Sequence, residues 1–309
     1  MKRVVLTGAA TPFGRRVAAH LAQHPEVERV LGFGGRAEPE PLSGVEPLRK
    51  PDDHRKLVEI LRAERVDTVV QCDLAPDRDG ARTLPSDPGV IATMKMGAAL
   101  GYEALPVRAW VLVGSSSVYP VRSHAPLLHS ERSPTVVEEH TPAAALLEAE
   151  DYARDLADRA PYLNVAILRL APLVGPGIQS ALSWVLSRPR VPSVLGFDPA
   201  IQLLHVDDAV AAVGLAASVE LAGVYNVASR GVIRWSDALQ CIGRPTLPVL
   251  PIEAGPLAPL ARALGIPHVP PGLLDLLRFG HAVDTAKLAH AGFEPSHDQP
   301  SCLEATTLG

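Results

Sequence analysis

The sequence has little of what marks several classes of protein. Its 309 residues include three cysteines, Cys72, Cys241 and Cys302, which are odd in number and far apart. We therefore expect neither a disulfide framework nor a paired-cysteine zinc site, and no metal site of another kind is indicated. No apolar run approaches the roughly 18 uncharged residues of a membrane-spanning helix. The short apolar stretch near the N-terminus meets proline and arginine too early for a signal peptide.

An excess of basic charge is also missing. The chain has 29 lysines and arginines against 34 acidic residues, a net charge of −5, and no lysine- or arginine-rich block. Neither nucleic acid nor an anionic membrane is an expected partner. Hydrophobic residues make up 47% and charged residues 20% of the chain, as in globular proteins that bury a core. We expect a soluble, cytoplasmic protein.

What the sequence does contain is an alternation of strand and helix patterns. Short apolar runs bounded by turn residues predict strands at 2–7, 29–33, 68–72, 109–113 and 164–168. Helical spacing predicts helices at 13–22, 53–63, 90–100 and 143–157. Repeated strand–helix units of this kind predict an α/β fold, a Rossmann-like doubly wound parallel sheet.

The pattern becomes irregular after residue 170. A helix is predicted at 207–217 and a strand at 224–227, and the many prolines between 244 and 271 predict short helices and turns. We therefore divide the chain into a Rossmann-like domain at 1–170 and a smaller C-terminal lobe at 171–309. Segments after residue 170 can still add strands to the sheet of the first domain.

The first chemical feature is the segment TGAATPFG at 7–14, between the first strand and the first helix. Backbone N–H groups and the helix dipole at such a place can hold a pyrophosphate. Gly8, Thr11, Phe13 and Gly14 are the candidate cofactor-binding residues of this loop. Thr11 stands where a glycine normally lets the backbone approach the phosphates, so its side chain is expected to intrude. The alternative is that the glycines only make a tight turn.

Several motifs together resemble the NAD-dependent epimerase/dehydratase family, the extended branch of the short-chain dehydrogenases/reductases. They are the TGxxxxxG loop at 7–14, SSSVY at 115–119, LRL with GPG at 168–177, HVDD at 205–208 and GVYNV at 223–227. The resemblance covers nearly the whole chain. It implies NAD or NADP on the Rossmann domain, a small-molecule ligand in the interdomain cleft, and a homodimer formed through the helices at 90–100 and 143–157.

The catalytic residues that the resemblance implies are only partly present. Enzymes of that family use a serine or threonine with a tyrosine and a lysine spaced YxxxK, and Ser115 matches the serine. Alignment places Pro142 at the tyrosine position and Leu146 at the lysine position, and no lysine in the chain follows a tyrosine by four residues. The usual proton relay is therefore predicted to be absent. His140 is a candidate substitute acid or base, because an ordinary histidine titrates near about pH 6.5. The competing interpretation is a loop histidine without a catalytic role.

The cofactor side of the site departs from the family pattern as well. Gly34 stands where an acidic residue normally holds the ribose, and Arg36 nearby suits a 2′-phosphate, so NADP is favoured over NAD. A solvated surface arginine is the alternative for Arg36. Asp73 places a carboxylate where it is expected to repel cofactor phosphates, and Gly89 replaces an expected asparagine. The segment before HVDD lacks the arginine that holds a sugar-nucleotide diphosphate, so sugar-nucleotide binding is not expected. In HVDD, we expect Asp207 to cap a helix.

Three functions remain open from the sequence. The first is a non-catalytic member that uses the fold for ligand sensing or protein contact. The second is an NAD(P)-dependent oxidoreductase with a substitute acid or base such as His140. The third is a non-redox isomerase or cyclase in the same cleft. Departures on both the catalytic and the cofactor side favour the first.

Overall fold

The computed structural model describes residues 1–34, 42–49, 51, 53–74, 88–135, 141–178, 180–250 and 271–307. Its strands are β1 (Lys2–Thr7), β2 (Val27–Phe33), β3 (Val45–Leu48), β4 (Thr68–Gln71), β5 (Ala109–Ser115), β6 (Leu128–His129), β7 (Asn164–Leu170), β8 (Leu173–Val174), β9 (Val191–Val194), β10 (Ala200–Ile201), β11 (Leu204–His205), β12 (Gly223–Val227), β13 (Ile233–Arg234), β14 (Thr246–Val249) and β15 (Ala282–Val283). Its helices are α1 (Pro12–Gln23), α2 (His54–Ala63), α3 (Pro88–Leu100), α4 (Pro142–Arg159), α5 (Ala181–Leu186), α6 (Val206–Ser218), α7 (Trp235–Ile242), α8 (Pro271–Phe279), α9 (Ala286–His290) and α10 (Gln299–Thr307).

Seven parallel strands form the central sheet in the order β12-β7-β5-β4-β1-β2-β3. The central strands β4 and β5 are buried along their whole length, as expected for a sheet covered by helices on both faces. The chain moves outward in one direction from β1 and in the other from β4. In such sheets the carboxyl ends of these two strands border the crevice that receives a ligand.

The predicted doubly wound fold is confirmed, and most predicted elements lie within a few residues of the observed ones. The strand β3 was not predicted. It is an edge strand whose side chains are partly or fully exposed, and it contains a proline, which edge strands tolerate. Hydrophobic alternation is correspondingly weak there.

The later part of the chain builds a second apolar cluster and also returns to the central sheet. β12 pairs with β7 along five residues, so the sheet includes a strand from beyond residue 170. The second cluster contains Val174, Leu182, Val191, Trp235, Leu277 and Leu303 among others. The domain division at residue 170 stays a prediction.

The prediction of short helices and turns throughout 244–271 is wrong for Thr246–Val249. These residues form β14, which pairs in parallel with β9 and so satisfies its backbone in spite of Pro248. Residues 251–270 lie outside the described part of the chain. Among the helices that the structure describes, none combines the length and the apolar character needed to cross a membrane.

Candidate functional site

The glycine loop lies at the carboxyl ends of β1 and β4. Gly8 has a φ of +75°, and a Cβ there would lie 3.0 Å from the carbonyl carbon of Cys72. At Gly14 a Cβ would collide with the Gly8 carbonyl oxygen. Because both positions leave no room for a side chain, the loop needs glycine to bring β1, β4 and α1 this close together.

The residues between the two glycines close the loop on itself. Thr11 is the N-cap of α1: its Oγ1 accepts a hydrogen bond from the Gly14 amide at 2.9 Å and donates one to the Gly8 carbonyl at 3.0 Å. Pro12 occupies the first helical position, and the Phe13 side chain is fully buried. The Thr11 side chain, expected to intrude on a ligand, is thus engaged by the backbone of its own loop.

A pocket opens beside the loop, between the ends of β1 and β2 and the helices α2 and α3. Phe33, Leu57 and Met96 supply apolar walls, while Asp53 and Lys95 are polar. The remaining lining residues are Thr7, Pro51, His54 and Ala92. The pocket therefore combines apolar walls with a few polar groups, as small-molecule sites commonly do.

Gly34 and Arg36, the residues predicted to determine cofactor choice, follow β2 closely in the sequence. Gly34 follows β2 directly and is buried, and it brings no carboxylate to this strand end. Arg36 lies outside the described residues. Asp73, just beyond β4, accepts a short hydrogen bond from the Thr7 hydroxyl. The carboxylate does lie beside the glycine loop, and its repulsion of a phosphate stays a prediction.

Ser115 ends β5 at the same edge of the sheet. It is 8% exposed, and its Oγ accepts a hydrogen bond from the Ser117 amide at 3.2 Å, which caps the 3₁₀ turn that follows. His140, the candidate substitute acid or base, lies outside the described residues. The structure therefore locates one of the two candidate catalytic residues.

The helix α4 carries the positions at which the resemblance expects tyrosine and lysine. Thr141 caps the helix by accepting a hydrogen bond from the Ala144 amide at 3.2 Å, and Pro142 is the first helical residue. Leu146, one turn further on, is 7% exposed. Neither Pro142 nor Leu146 has a group that can transfer or attract a proton, so this stretch of α4 has no acid–base pair.

Tyr119 is the tyrosine nearest to Ser115 along the chain, and its hydroxyl both donates and accepts a hydrogen bond within the protein. It donates to Asn226 Oδ1 at 2.8 Å and accepts from Arg169 Nη1 at 2.8 Å. The side chain is buried, and this burial raises the pKa of Tyr119. A hydroxyl held in this way is a structural link between strands β7 and β12 and not a ready proton donor.

A lysine contacts a tyrosine elsewhere, at the opposite edge of the sheet. Lys287 Nζ lies 4.2 Å from the ring centre of Tyr225. The Tyr225 hydroxyl donates to the Ala222 carbonyl, which precedes β12, so the pair lies at the amino end of that strand. Since the site edge is at the carboxyl ends of the strands, this pair cannot replace YxxxK.

Sequence reasoning missed a buried polar network beneath the site. Arg169 of β7 binds Glu150 of α4, with Nη2 and Oε2 2.6 Å apart, and both side chains are almost fully buried. The network continues from Arg169 through Tyr119 to Asn226. The available signal was an arginine inside the apolar run 165–171, since a charged residue in a buried strand needs a partner.

A second contact that the sequence did not predict involves Ser116, the residue after Ser115. Ser116 Oγ lies 3.0 Å from Nε2 of His281, and both side chains are buried. Burial, and then the neighbouring His129, lower the pKa of His281 to about 4. His281 is therefore neutral at physiological pH, and its contact with Ser116 ties the residue before β15 to the end of β5.

The HVDD motif caps a helix, but through a different residue from the predicted one. The N-cap of α6 is His205, whose Nδ1 accepts from the Asp207 amide at 3.3 Å, and the helix begins at Val206. The prediction of Asp207 as N-cap is wrong, because Asp207 already lies in the first turn. There its charge faces the positive end of the helix dipole.

His205, Asp207 and His297 bring possible ligand atoms within 4.8 Å of one another. The two imidazoles stack at 3.7 Å between ring centres with planes 17° apart. Because a nitrogen lone pair lies in the plane of its ring, stacked rings direct their lone pairs side by side and not toward one ion. Arg16 Nη1 also lies 3.4 Å from Asp207 Oδ1, so this carboxylate already has a cationic partner. The arrangement does not suit a metal ion.

Comparison with known proteins identifies relatives for this fold and loop. A family model described as the NAD-dependent epimerase/dehydratase family matches residues 4–228. An uncharacterized protein of Mycobacterium tuberculosis is 31% identical over 303 residues, which cover 95% of this chain and 80% of that protein. An uncharacterized protein of Mycobacterium bovis matches to the same extent.

Solved structures of low sequence identity share the architecture. UDP-glucuronic acid 4-epimerase from Bacillus cereus, in complex with UDP-glucuronic acid and NAD, has a TM-score of 0.72 at 16% identity, over 99% of this chain and 98% of that one. dTDP-glucose 4,6-dehydratase from Bacillus anthracis, in complex with NAD, has a TM-score of 0.71 at 13% identity, over 100% and 96%. UDP-glucose 4-epimerase from Thermotoga maritima, with UDP-glucose, has a TM-score of 0.72 at 16% identity, over 99% and 97%.

Proposed function

The chain belongs to the NAD-dependent epimerase/dehydratase family, and from this premise we propose that its cleft binds an NAD(P)-type dinucleotide without tyrosinate-dependent hydride transfer. The protein then acts through ligand sensing or protein contact. Its ligand is a small molecule held between the sheet and the C-terminal lobe.

The observation that carries the proposal is the composition of α4. Lowering a tyrosine pKa from about 10 to about 7 requires roughly 4 kcal/mol of favourable interaction with the tyrosinate. Leu146 stands where a lysine would supply that interaction, and α4 contains no lysine. The nearby Tyr119 is held between Arg169 and Asn226 inside the fold. Neither Tyr119 nor the pair of Tyr225 and Lys287 therefore takes over the role of the missing pair.

The residues at the carboxyl edge of the sheet fit part of a dinucleotide. The pocket with walls of Phe33, Leu57 and Met96 lies where an adenine ring would bind, and the loop between Gly8 and Gly14 lies where the pyrophosphate would bind. A bound dinucleotide would supply a hydride acceptor or donor. The protein's contribution is to orient that molecule, and the absence of an acid–base pair on α4 leaves proton transfer without its usual group.

Within this proposal the cofactor is NADP in preference to NAD. The end of β2 offers Gly34 and no carboxylate, so NAD lacks its usual pair of ribose hydrogen bonds. Arg36 provides a charge that can pair with a 2′-phosphate. Binding is weak, because Asp73 places a negative charge beside the loop that receives the phosphates.

A sugar nucleotide is not the proposed ligand, although several structural neighbours bind one. Gln202, in the segment before HVDD, is buried and uses both ends of its amide within the protein: Nε2 donates to the Gly231 carbonyl at 3.0 Å and Oε1 accepts from the Val283 amide at 2.9 Å. This segment thus offers no cation for a diphosphate.

The proposal is tested by combining calorimetric titration with a hydride-transfer assay. We expect NADPH to bind and its oxidation, with sugar nucleotides or carbonyl compounds added, to stay at the protein-free rate. Tyr152 is the tyrosine that α4 contains, and Leu156 stands four residues after it. Turnover that is lost in Tyr152→Phe with folding intact would overturn the proposal and the alignment of α4. Turnover lost specifically in His140→Ala would favour the oxidoreductase with a substitute acid or base.

A further inference from the structure

The N-terminus of α1 has already used backbone donors that an incoming phosphate needs. A helix leaves its first amides without intrahelical partners, and an anion bound there accepts from them. Here the Thr11 amide donates to the Gly8 carbonyl at 2.9 Å, Pro12 has no amide hydrogen, and the Gly14 amide donates to Thr11 Oγ1 at 2.9 Å. The chain therefore caps its own helix at the proposed pyrophosphate position.

This capped arrangement is fixed by backbone packing and is not a property of the threonine side chain alone. Gly14 lies against the Gly8 carbonyl so closely that a side chain at position 14 would collide with it. The same carbonyl accepts from the Thr11 hydroxyl at 3.0 Å. One hydroxyl thus bridges an acceptor and a donor of the loop, and moving it breaks two hydrogen bonds at once.

We propose that Thr11 is an internal competitor for the dinucleotide pyrophosphate at the N-terminus of α1. The inference deepens the proposed function and depends on it, because it concerns the same cleft. For a phosphate to reach the Gly14 amide, the Thr11 hydroxyl has to leave it, whereas a glycine at position 11 would leave the amide open. Thr11 therefore lowers affinity for any dinucleotide, with or without a 2′-phosphate, and does not select between the two.

The direct test is isothermal titration of NADPH and NADH into wild-type protein, Thr11→Gly and Thr11→Ser. Losing one net hydrogen bond on binding corresponds to an affinity change of about tenfold. Thr11→Gly is expected to bind both dinucleotides about tenfold more tightly than the wild type. Thr11→Ser keeps the hydroxyl and is expected to stay close to the wild type, which separates capping from the loss of a methyl group.

The chain offers a matched control for the effect on folding. Thr141 caps α4 in the same way, with its hydroxyl on the amide three residues ahead and a proline in the first helical position. Thr141→Gly should lower the melting temperature by an amount similar to Thr11→Gly, because glycine is a nearly adequate N-cap. A tighter Thr11→Gly complex then reflects the loop and not a general change in stability.

The outcomes distinguish this inference from the function on which it rests. If the wild type binds NADPH and Thr11→Gly binds it no more tightly, the competition is refuted while the dinucleotide cleft stands. If neither protein binds either dinucleotide, both the competition and the proposed function are refuted. Tighter binding by Thr11→Gly, with Thr11→Ser like the wild type, supports both.

Discussion

Glu150 Oε2 and Arg169 Nη2 lie 2.6 Å apart, with the two side chains 1% and 2% exposed. This ion pair joins α4 to β7 directly beneath the edge at which Ser115 ends its strand. It holds α4 against the sheet, although the helix contains no lysine. The attachment of α4 to the sheet therefore depends on a buried ion pair.

Removing Glu150 is predicted to be strongly destabilising. Glu150→Ala leaves the Arg169 guanidinium buried without its carboxylate, and breaking such a pair costs about 3 to 5 kcal/mol. The neighbouring Asp151 is the matched control, since it is exposed and forms an ion pair with Arg154 at 2.7 Å. Asp151→Ala should cost about 0.2 to 1 kcal/mol. Chemical denaturation of both variants checks the difference, and similar losses would contradict the structural role of Glu150.

The free energy of unfolding is predicted to fall as the pH drops from the pKa of His281 in the unfolded chain to its pKa in the folded protein. Its pKa is lowered by burial to about 4 in the folded protein, whereas an unfolded histidine titrates near about 6.5. Below about pH 6.5 the unfolded chain takes up a proton that the folded chain excludes, so the free energy of unfolding decreases until about pH 4. The difference amounts to about 3 kcal/mol, at roughly 1.4 kcal/mol per pKa unit.

The histidine contribution is isolated by comparing variants across the same pH range. His281→Gln should show a flatter decline of stability with acid than the wild type. His124→Gln, which changes an exposed histidine, should follow the wild type. A His281→Gln profile parallel to that of the wild type would show that His281 is not the group concerned.

Cofactor preference is predicted to depend on Arg36. Arg36→Ala should weaken NADPH binding by about tenfold or more and leave NADH binding nearly unchanged, because a charge-assisted hydrogen bond contributes about 1.5 to 3 kcal/mol. Arg62→Ala removes the same charge from an exposed position near the far end of α2 and serves as the control. Equal affinity of the wild type for the two dinucleotides, measured by calorimetry, would argue against an NADP preference.

The helices α3 and α4 are predicted to form a homodimer interface. They pack against each other within the chain, and small residues at their surface permit the close approach of two more helices. Ala98 is exposed on α3, so Ala98→Arg should dissociate a dimer that persists at tens of micromolar, a concentration suited to ordinary homodimer affinities. Ala63→Arg on α2 is the control. Light scattering that shows a wild-type monomer at this concentration would exclude the interface.

The elements that could be predicted are those whose pattern is local. β1 was predicted at the residues where it is found, because an apolar β-branched run there ends at a glycine turn. α1 and α4 were also predicted within two residues at each end. The edge strand β3 was missed, because partly exposed strands carry little hydrophobic signal.

The contacts of the site could not be predicted in the same way. Glu150 and Arg169 meet across 19 residues, and Ser116 and His281 across 165. Such pairs are determined by how helices and strands pack, and one sequence contains no record of that packing. The capping role of Thr11 was easier to predict from the sequence, since threonine before proline is a typical helix start.

The central claim, that this family member has no tyrosine prepared for proton transfer, is tested most directly by spectrophotometric titration of tyrosinate. Its five tyrosines are all among the described residues, and burial raises the pKa of Tyr119, Tyr162 and Tyr225. Titrating the protein from about pH 6 to about pH 9, with and without saturating NADP, should reveal no tyrosinate step near pH 7. A step near pH 7 that disappears in Tyr152→Phe or Tyr119→Phe would contradict the account.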